Sequence, residues 1–305
     1  MLDSARLKGI FFGMTATAFW GSFYPASRFI FGEELEQADP VFIAFLRTVI
    51  CFLSLLPFFW RGTDRIRFRK DWKRDWKLFL LMAISAQAES MLVFLATKYT
   101  TAARASLLAN TAPIFTVVIA VLMVQESLNR WKAAGMILGF GGITLAALSR
   151  GMDRFTDGAG AWQGDLLALG SGICWALFTV LAGRIAERDY DSRFITCVTG
   201  GLGVILMIPV LFLLGCRPEF HLPLRAWLGL FYLGICAGSL ANCCWCQALK
   251  YLQPGEAGSF GYVSAMMAVA FSTLFLGEKL SLAFLLAIPC VLGGIGLMFH
   301  RGKHA

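Results

Sequence analysis

The sequence predicts an all-α integral membrane protein of ten transmembrane helices, built as two inverted five-helix repeats with both termini in the cytoplasm. Three observations carry this. The 305 residues are 58% hydrophobic and only 15% charged, with a mean hydropathy of +0.68. A soluble core of this size cannot hide that much apolar surface, so a bilayer must be the solvent. Second, the chain repeats itself. At a shift of 152, Phe42 falls on Phe194, Pro57 on Pro209, Lys98-Tyr99 on Lys250-Tyr251, Glu126 on Glu278 and Gly141-Gly142-Ile143 on Gly293-Gly294-Ile295. Between Lys98 and Leu145, 11 of 48 positions are identical to their counterparts. At a shift of 155, Gly9, Trp20 and Phe23 fall on Gly164, Trp175 and Phe178. Third, Lys and Arg are distributed unevenly. With the N-terminus inside, cytoplasmic segments carry 18 of them, outer segments 7, and two lie within spans. That is the bias expected of cytoplasmic loops. The net charge of +8 therefore reads as loop asymmetry, and no nucleic-acid partner is implied.

The spans follow in order. The first five are 8–31, 41–60, 78–97, 105–124 and 131–149. The second five are 162–183, 193–214, 226–248, 256–276 and 282–299. Each is long enough to cross and must be helical, because lipid tolerates no open sheet edge. The apolar run Ile10 to Met14 is too short for a signal-peptide core, so the first segment is read as a retained span. Loops are short except Arg61 to Lys77 and Arg150 to Ala161. The former mixes Trp72 and Trp76 with eight basic residues, as an interfacial stretch drawn to an anionic inner leaflet would. The domains are then 1–150 and 151–305. Five spans is an odd number, so the second repeat begins on the opposite side to the first. The inverted repeat is a hallmark of secondary transporters.

The order and spacing of several motifs resemble the drug/metabolite transporter superfamily, in particular its EamA-type ten-helix members. In the first half they are Phe19-Trp20-Gly21-Ser22, Asp39-Pro40 with Arg47, Ala96 through Leu108, Pro113, Glu126-Ser127-Leu128 and Gly135 to Gly142. In the second they are Gly164-Asp165-Leu166, Trp175-Ala176, Gly277-Glu278-Lys279-Leu280 and Gly293-Gly294. The chain departs from the family pattern in having Ala265 opposite Pro113, Pro289 opposite Ile137 and Arg28 late in the first helix. The resemblance implies metabolite export through a cavity lined by the first four helices of each half.

Candidate site residues come from polar groups placed where lipid makes them costly. Arg47 and Glu89 stand at comparable depth in the second and third spans. They map to Thr199 and Ala241 in the second half, so the architecture does not need them. One reading is a recognition or coupling pair, with Glu89 holding a proton or an ammonium group and Arg47 a carboxylate, as an amino acid would require. The other is a structural ion pair pinning two helices. Trp20, Tyr24 and Arg28 share one helix face. Trp20 and Trp175, repeat partners, either line a cavity or pack. Asn110 with its partner Tyr262, and Ser90 with its partner Asn242, complete the candidates along with Ser85 and Gln87; hydrogen bonding between helices competes as an explanation. Glu126 and Glu278, kept in both copies, are expected to close turns or cap helices.

Cys243-x-x-Cys246 has metal-like spacing but sits in an apolar helix, so no metal and no cofactor are expected. No Walker motif, nucleophile–base set or catalytic cluster is present, so the chain is not expected to be an enzyme; a lipid-modifying transferase is the weaker alternative, an uncoupled facilitator the nearer one. The expected function is a secondary transporter of the inner (plasma) membrane moving a small polar or amphipathic metabolite, with H+ as a candidate coupling ion. Gly135-x-x-x-Gly139 leaves a homodimer open, although such a face also lets helices of one bundle approach.

Overall fold

The computed structural model describes residues 4–22, 39–61, 63–100, 102–148, 161–216, 218, 220–276 and 282–300. These form helices α1 (Ser4–Gly21), α2 (Pro40–Arg61), α3 (Asp64–Tyr99), α4 (Ala102–Ala109), α5 (Ala112–Val124) and α6 (Arg130–Leu148) in the first half. The second half has α7 (Ala161–Ala186), α8 (Ser192–Leu213), α9 (Leu224–Tyr232), a π-helical stretch (Leu233–Leu240), α10 (Ala241–Ala248), α11 (Pro254–Gly258), α12 (Phe260–Leu276) and α13 (Leu282–Met298). Among the described residues, eight spans are long and apolar enough to cross a membrane, and Leu282–Met298 is a shorter apolar helix. The expected first span, 8–31, is described only as far as Ser22.

The halves interleave rather than stand side by side. Long α3 packs along α7, as the span containing α10 packs along α1; α5 lies on α7 as α12 lies on α1. The pairings α2 with α8 and α6 with α13 are their own mates under exchange of halves. Direction follows from glycine contacts. Gly9, Gly13 and Gly21 of α1 approach Leu252, Phe260 and Met267 in turn, so α1 and α12 run parallel. Gly183, near the end of α7, meets Pro254 at the start of α11. Thus α7 runs against α1, and the two repeats are inverted.

Three elements differ from the expectation. The segment 61–77 is not a loop: α3 begins at Asp64 and runs 36 residues to Tyr99. No Gly or Pro interrupts it, and at ~1.5 Å per residue it is about 54 Å long, well beyond a ~30 Å hydrocarbon layer. Its overhang is anchored by buried Asp75, which accepts from Tyr190 Oη at 2.6 Å and Arg74 Nε at 2.8 Å and pairs with Arg188. Burial pushes the Tyr190 phenol up, with the Asp71 carboxylate as a second cause. The fourth span is broken at Asn110–Thr111. Pro113 explains this, because it lacks an N–H and its ring clashes with the carbonyl four residues back. The ninth span is broken at Ser259 without a proline.

Caps recur across the repeat. Asp39 Oδ1 accepts from Val41 N at 2.8 Å, and its counterpart Asp191 accepts from Arg193 N at 2.8 Å. The Arg193 side chain, bonded to Asp191, holds that carboxyl below the usual carboxylate range. Glu126 plays a different part from the expected one. Asn129 caps α6, through Lys132 N at 2.8 Å. Glu126 instead accepts from Gly255 N at 3.0 Å, across the halves, and from Lys132 Nζ at 2.9 Å. Glu278 lies outside the described residues. The Gly135–Gly139 face is filled within the chain: a Cβ on Gly135 would meet Gly294 O at 2.5 Å, and one on Gly139 the Tyr262 ring at 2.7 Å.

Candidate functional site

Helices α2 and α3 bring Arg47 and Glu89 to one point. Arg47 Nη2 donates to Ser90 Oγ at 2.9 Å, and Ser90 Oγ donates to Glu89 Oε2 at 3.3 Å. One hydroxyl therefore spaces a cation from an anion. Ser90 is buried, while Arg47 and Glu89 are half-buried. One turn away, Thr48 Oγ1 meets Gln87 Oε1 at 3.4 Å, and Gln87 Nε2 lies where a Cβ on Gly203 of α8 would stand. The Cys174 thiol of α7 is within electrostatic reach of Glu89. The pair is thus enclosed by α2, α3, α7 and α8.

Where α1, α7 and α10 come together, three indoles meet. Trp20 and Trp175 contact edge-to-face, with centroids 5.0 Å apart and planes at 88°. Trp245 of α10 stands 5.2 Å from Trp20 and 5.9 Å from Trp175. Trp20 Nε1 donates to Ala237 O at 3.0 Å. Fully buried Trp245 Nε1 has no hydrogen-bond partner among the described residues.

The π-helical stretch supplies that carbonyl. A π turn widens the helix by a residue and loosens its hydrogen-bond ladder. Ser239 Oγ reaches Cys51 O at 3.1 Å and Gly234 O at 3.2 Å, and meets Ser54 Oγ at 2.5 Å. Asn242 Nδ2 donates to Gly238 O at 2.7 Å, tying the end of the stretch. Neither Trp245 nor the π stretch was singled out from the sequence. The available signal was the pair Gly234 and Gly238, which lie against Ile50 and Cys51 of α2.

The other candidates are scattered. Asn110 donates to Ser106 O at 2.7 Å, finishing α4 at the break. Tyr262 is fully buried against Ile143 and Val291 at the α6–α12–α13 junction, away from the charged pair. Its hydroxyl has no partner among the described residues. Tyr24 and Arg28 lie outside the described residues. An open pocket of about 560 Å³ is lined by Ser4, Leu7, Lys8, Phe11, Gln247 and Tyr251 at the N-terminal end of α1, and contains none of the candidates. Among the described residues no group of three or more His, Cys, Asp or Glu could hold a metal ion.

The model of the EamA-like transporter family matches residues 7–148 and again 162–300. The chain belongs to the EamA-like transporter family. An uncharacterized transporter of Archaeoglobus fulgidus is 30% identical over 83% of this chain and 86% of its own length. The uncharacterized transporter YdfC of Bacillus subtilis is 27% identical over 90% of this chain and 86% of its own. A solved crystal structure of a protein superposes with a TM-score of 0.81 over 97% of this chain and 96% of that one, at 19% identity; it supports the fold. This EamA-like protein is accordingly a multi-pass membrane transporter, a member of a transporter family. Its relatives are bacterial and archaeal, which places it in the plasma membrane. A lipid bilayer and a small-molecule substrate are its implied partners.

Proposed function

We propose that the protein exports a small zwitterionic metabolite of the amino-acid class by alternating access, with Arg47 and Glu89 as its recognition pair. The observation that carries this is the Arg47–Ser90–Glu89 relay in the half of the molecule that its repeat builds without either charge. The second half has Thr199 and Ala241 at these positions and builds the same arrangement of helices without either charge. A hydroxyl spacer between guanidinium and carboxylate suits a ligand carrying both opposite charges. The substrate carboxylate takes the guanidinium fork, its ammonium takes Glu89, and the indoles of Trp20 and Trp175 form an apolar wall. The Lys and Arg bias supports a cytoplasmic N-terminus, and export rests on the family resemblance alone. In the coupled form of the cycle, Glu89 exchanges the substrate ammonium for a proton.

The test is counter-flow of labelled amino acids in proteoliposomes. Glu89→Gln and Arg47→Ala are each expected to lower flux about 30-fold or more, as a bound ligand that loses one charged partner loses roughly 2 kcal/mol or more. Native flux in both variants sinks the reading. Flux indifferent to an imposed pH gradient removes the proton from it and leaves a facilitator.

A further inference from the structure

At each end of the bundle an ion pair joins the first helix of one half to a short segment of the other; the short-segment members, Glu256 and Arg104, are repeat mates of opposite charge, while Arg6 and Asp165 stand at different register positions of their helices. At the N-terminal end, Arg6 of α1 pairs with Glu256 of α11. Three residues on, a Cβ on Gly9 would come within 2.7 Å of Leu252 Cγ and 2.9 Å of Tyr251 Cβ. At the opposite end, Asp165 of α7 pairs with Arg104 of α4, whose Nε lies 3.1 Å from Oδ1, and meets Thr100 Oγ1 at 3.4 Å. Beside it, a Cβ on Gly164 would come within 2.7 Å of Thr100 Cβ. Under the repeat, Gly9 corresponds to Gly164, Leu252 to Thr100 and Glu256 to Arg104. The cation is on the first helix of the half at one end, and the anion is on it at the other.

Each pair joins a long helix to a short one. Glu256 rides on the five-residue α11, set off from α12 at Ser259. Arg104 rides on the eight-residue α4, set off from α5 at Asn110–Thr111. A short segment hinged at a break can swing without moving the span behind it, which is how discontinuous helices serve transporters. The Trp20–Trp175 contact lies between the two ends. We propose that Arg6–Glu256 and Asp165–Arg104 are the latches of the inner and outer gates, opened alternately, and that both are shut in this structure. The proposal rests on the alternating-access reading but not on which substrate the centre binds. The inner latch is the drier, with side chains 12% and 8% exposed against 27% and 22% for the outer, so its loss has the larger effect.

The test is hydrogen–deuterium exchange on the purified full-length protein in nanodiscs, with no substrate added. Glu256→Gln retains the capping geometry of α11 and removes the charge. Exchange over 250–260 is expected to rise about tenfold, as a loss of roughly 1.4 kcal/mol gives, while exchange over 98–108 falls. Asp165→Asn is expected to do the reverse, with a rise of about threefold for a more exposed pair. The swap Arg104→Glu with Asp165→Arg should return both mouths to native exchange. If Glu256→Gln fails to fold, Arg6→Gln breaks the same latch and carries the same expectation. Exchange that rises at both mouths together, or at neither, overturns the proposal. Reciprocal exchange alongside normal flux in the Glu89 and Arg47 variants keeps the latches and removes the recognition pair.

Discussion

The third span and its repeat mate, the eighth, occupy equivalent places and are built differently. The third is an uninterrupted α-helix that carries Glu89 and Ser90 and joins them to Arg47. The eighth has Ala241 and Asn242 at those positions, and just before them a π turn that lends Ala237 O to Trp20. One half brings charge to the centre; the other brings a loosened backbone and a third indole, Trp245, where the first half has Val93. The repeat sets the frame, and these two spans fill it with different chemistry. Arg47 itself maps to Thr199, whose buried hydroxyl has no partner among the described residues, so no equivalent relay forms there.

The comparison can be broken outright by making the first half resemble the second. Arg47→Thr combined with Glu89→Ala removes both charges at once, leaving no unpaired ion in the interior. The double variant is expected to remain folded, since the second half carries Thr199 and Ala241 at the matching positions, and to show no counter-flow. Native flux in the double variant would return the relay to a structural role.

A second variant pair asks which repeated glycines the packing needs. Gly135→Leu places carbon against the backbone oxygen of Gly294, 2.5 Å from the ideal Cβ position, and neither helix can yield locally. It is expected to cost about 3 kcal/mol or more, beyond ordinary overpacking of ~1–3 kcal/mol, and to separate α6 from α13. Gly141→Ala meets nothing within 4 Å and should be neutral in thermal melts, although Gly141 and Gly293 are kept in both copies. Equal melts for the two variants would mean that the α6–α13 contact is not tight.

The smallest effect separates two indoles. Trp20→Phe removes the bond to Ala237 O and is expected to cost about 1 kcal/mol, the usual net worth of such a bond. Trp245→Phe removes a buried N–H that has no partner among the described residues but also opens a cavity at a fully buried site, so it is expected to be the costlier of the two, by about 1 kcal/mol. The melting temperatures of the two variants, measured side by side, decide the order.

Much of this was legible in the chain. Hydropathy located the spans, because a bilayer forces backbone polar groups into helices, and the repeat register paired Trp20 with Trp175 before any coordinates. The overhang of α3 was not legible as a helix, because charge-rich sequence between apolar spans reads as loop. Only contact with Tyr190 and Arg188 makes Asp75 a buried anchor. Tyr262 and Asn110, aligned across the repeat, were expected at the centre. One packs against Gly139 and the other finishes α4, because an alignment gives depth in the membrane but not the direction a side chain faces.

What the sequence determined by itself was the solvent, the number of repeats, their inversion and the two charges that the repeat does not duplicate. These depend on composition and register, which are properties of the chain alone. What the tertiary structure decided was who meets whom: Ser90 between Arg47 and Glu89, the carbonyl released to Trp20 by the π turn, and the reversed pairs closing the two ends. Apart from Ser90 with its neighbour Glu89, those contacts join residues 43 to 250 positions apart, and they depend on how α1 and α7 cross the opposite half, where Gly9, Gly13, Gly21 and Gly164 allow close approach.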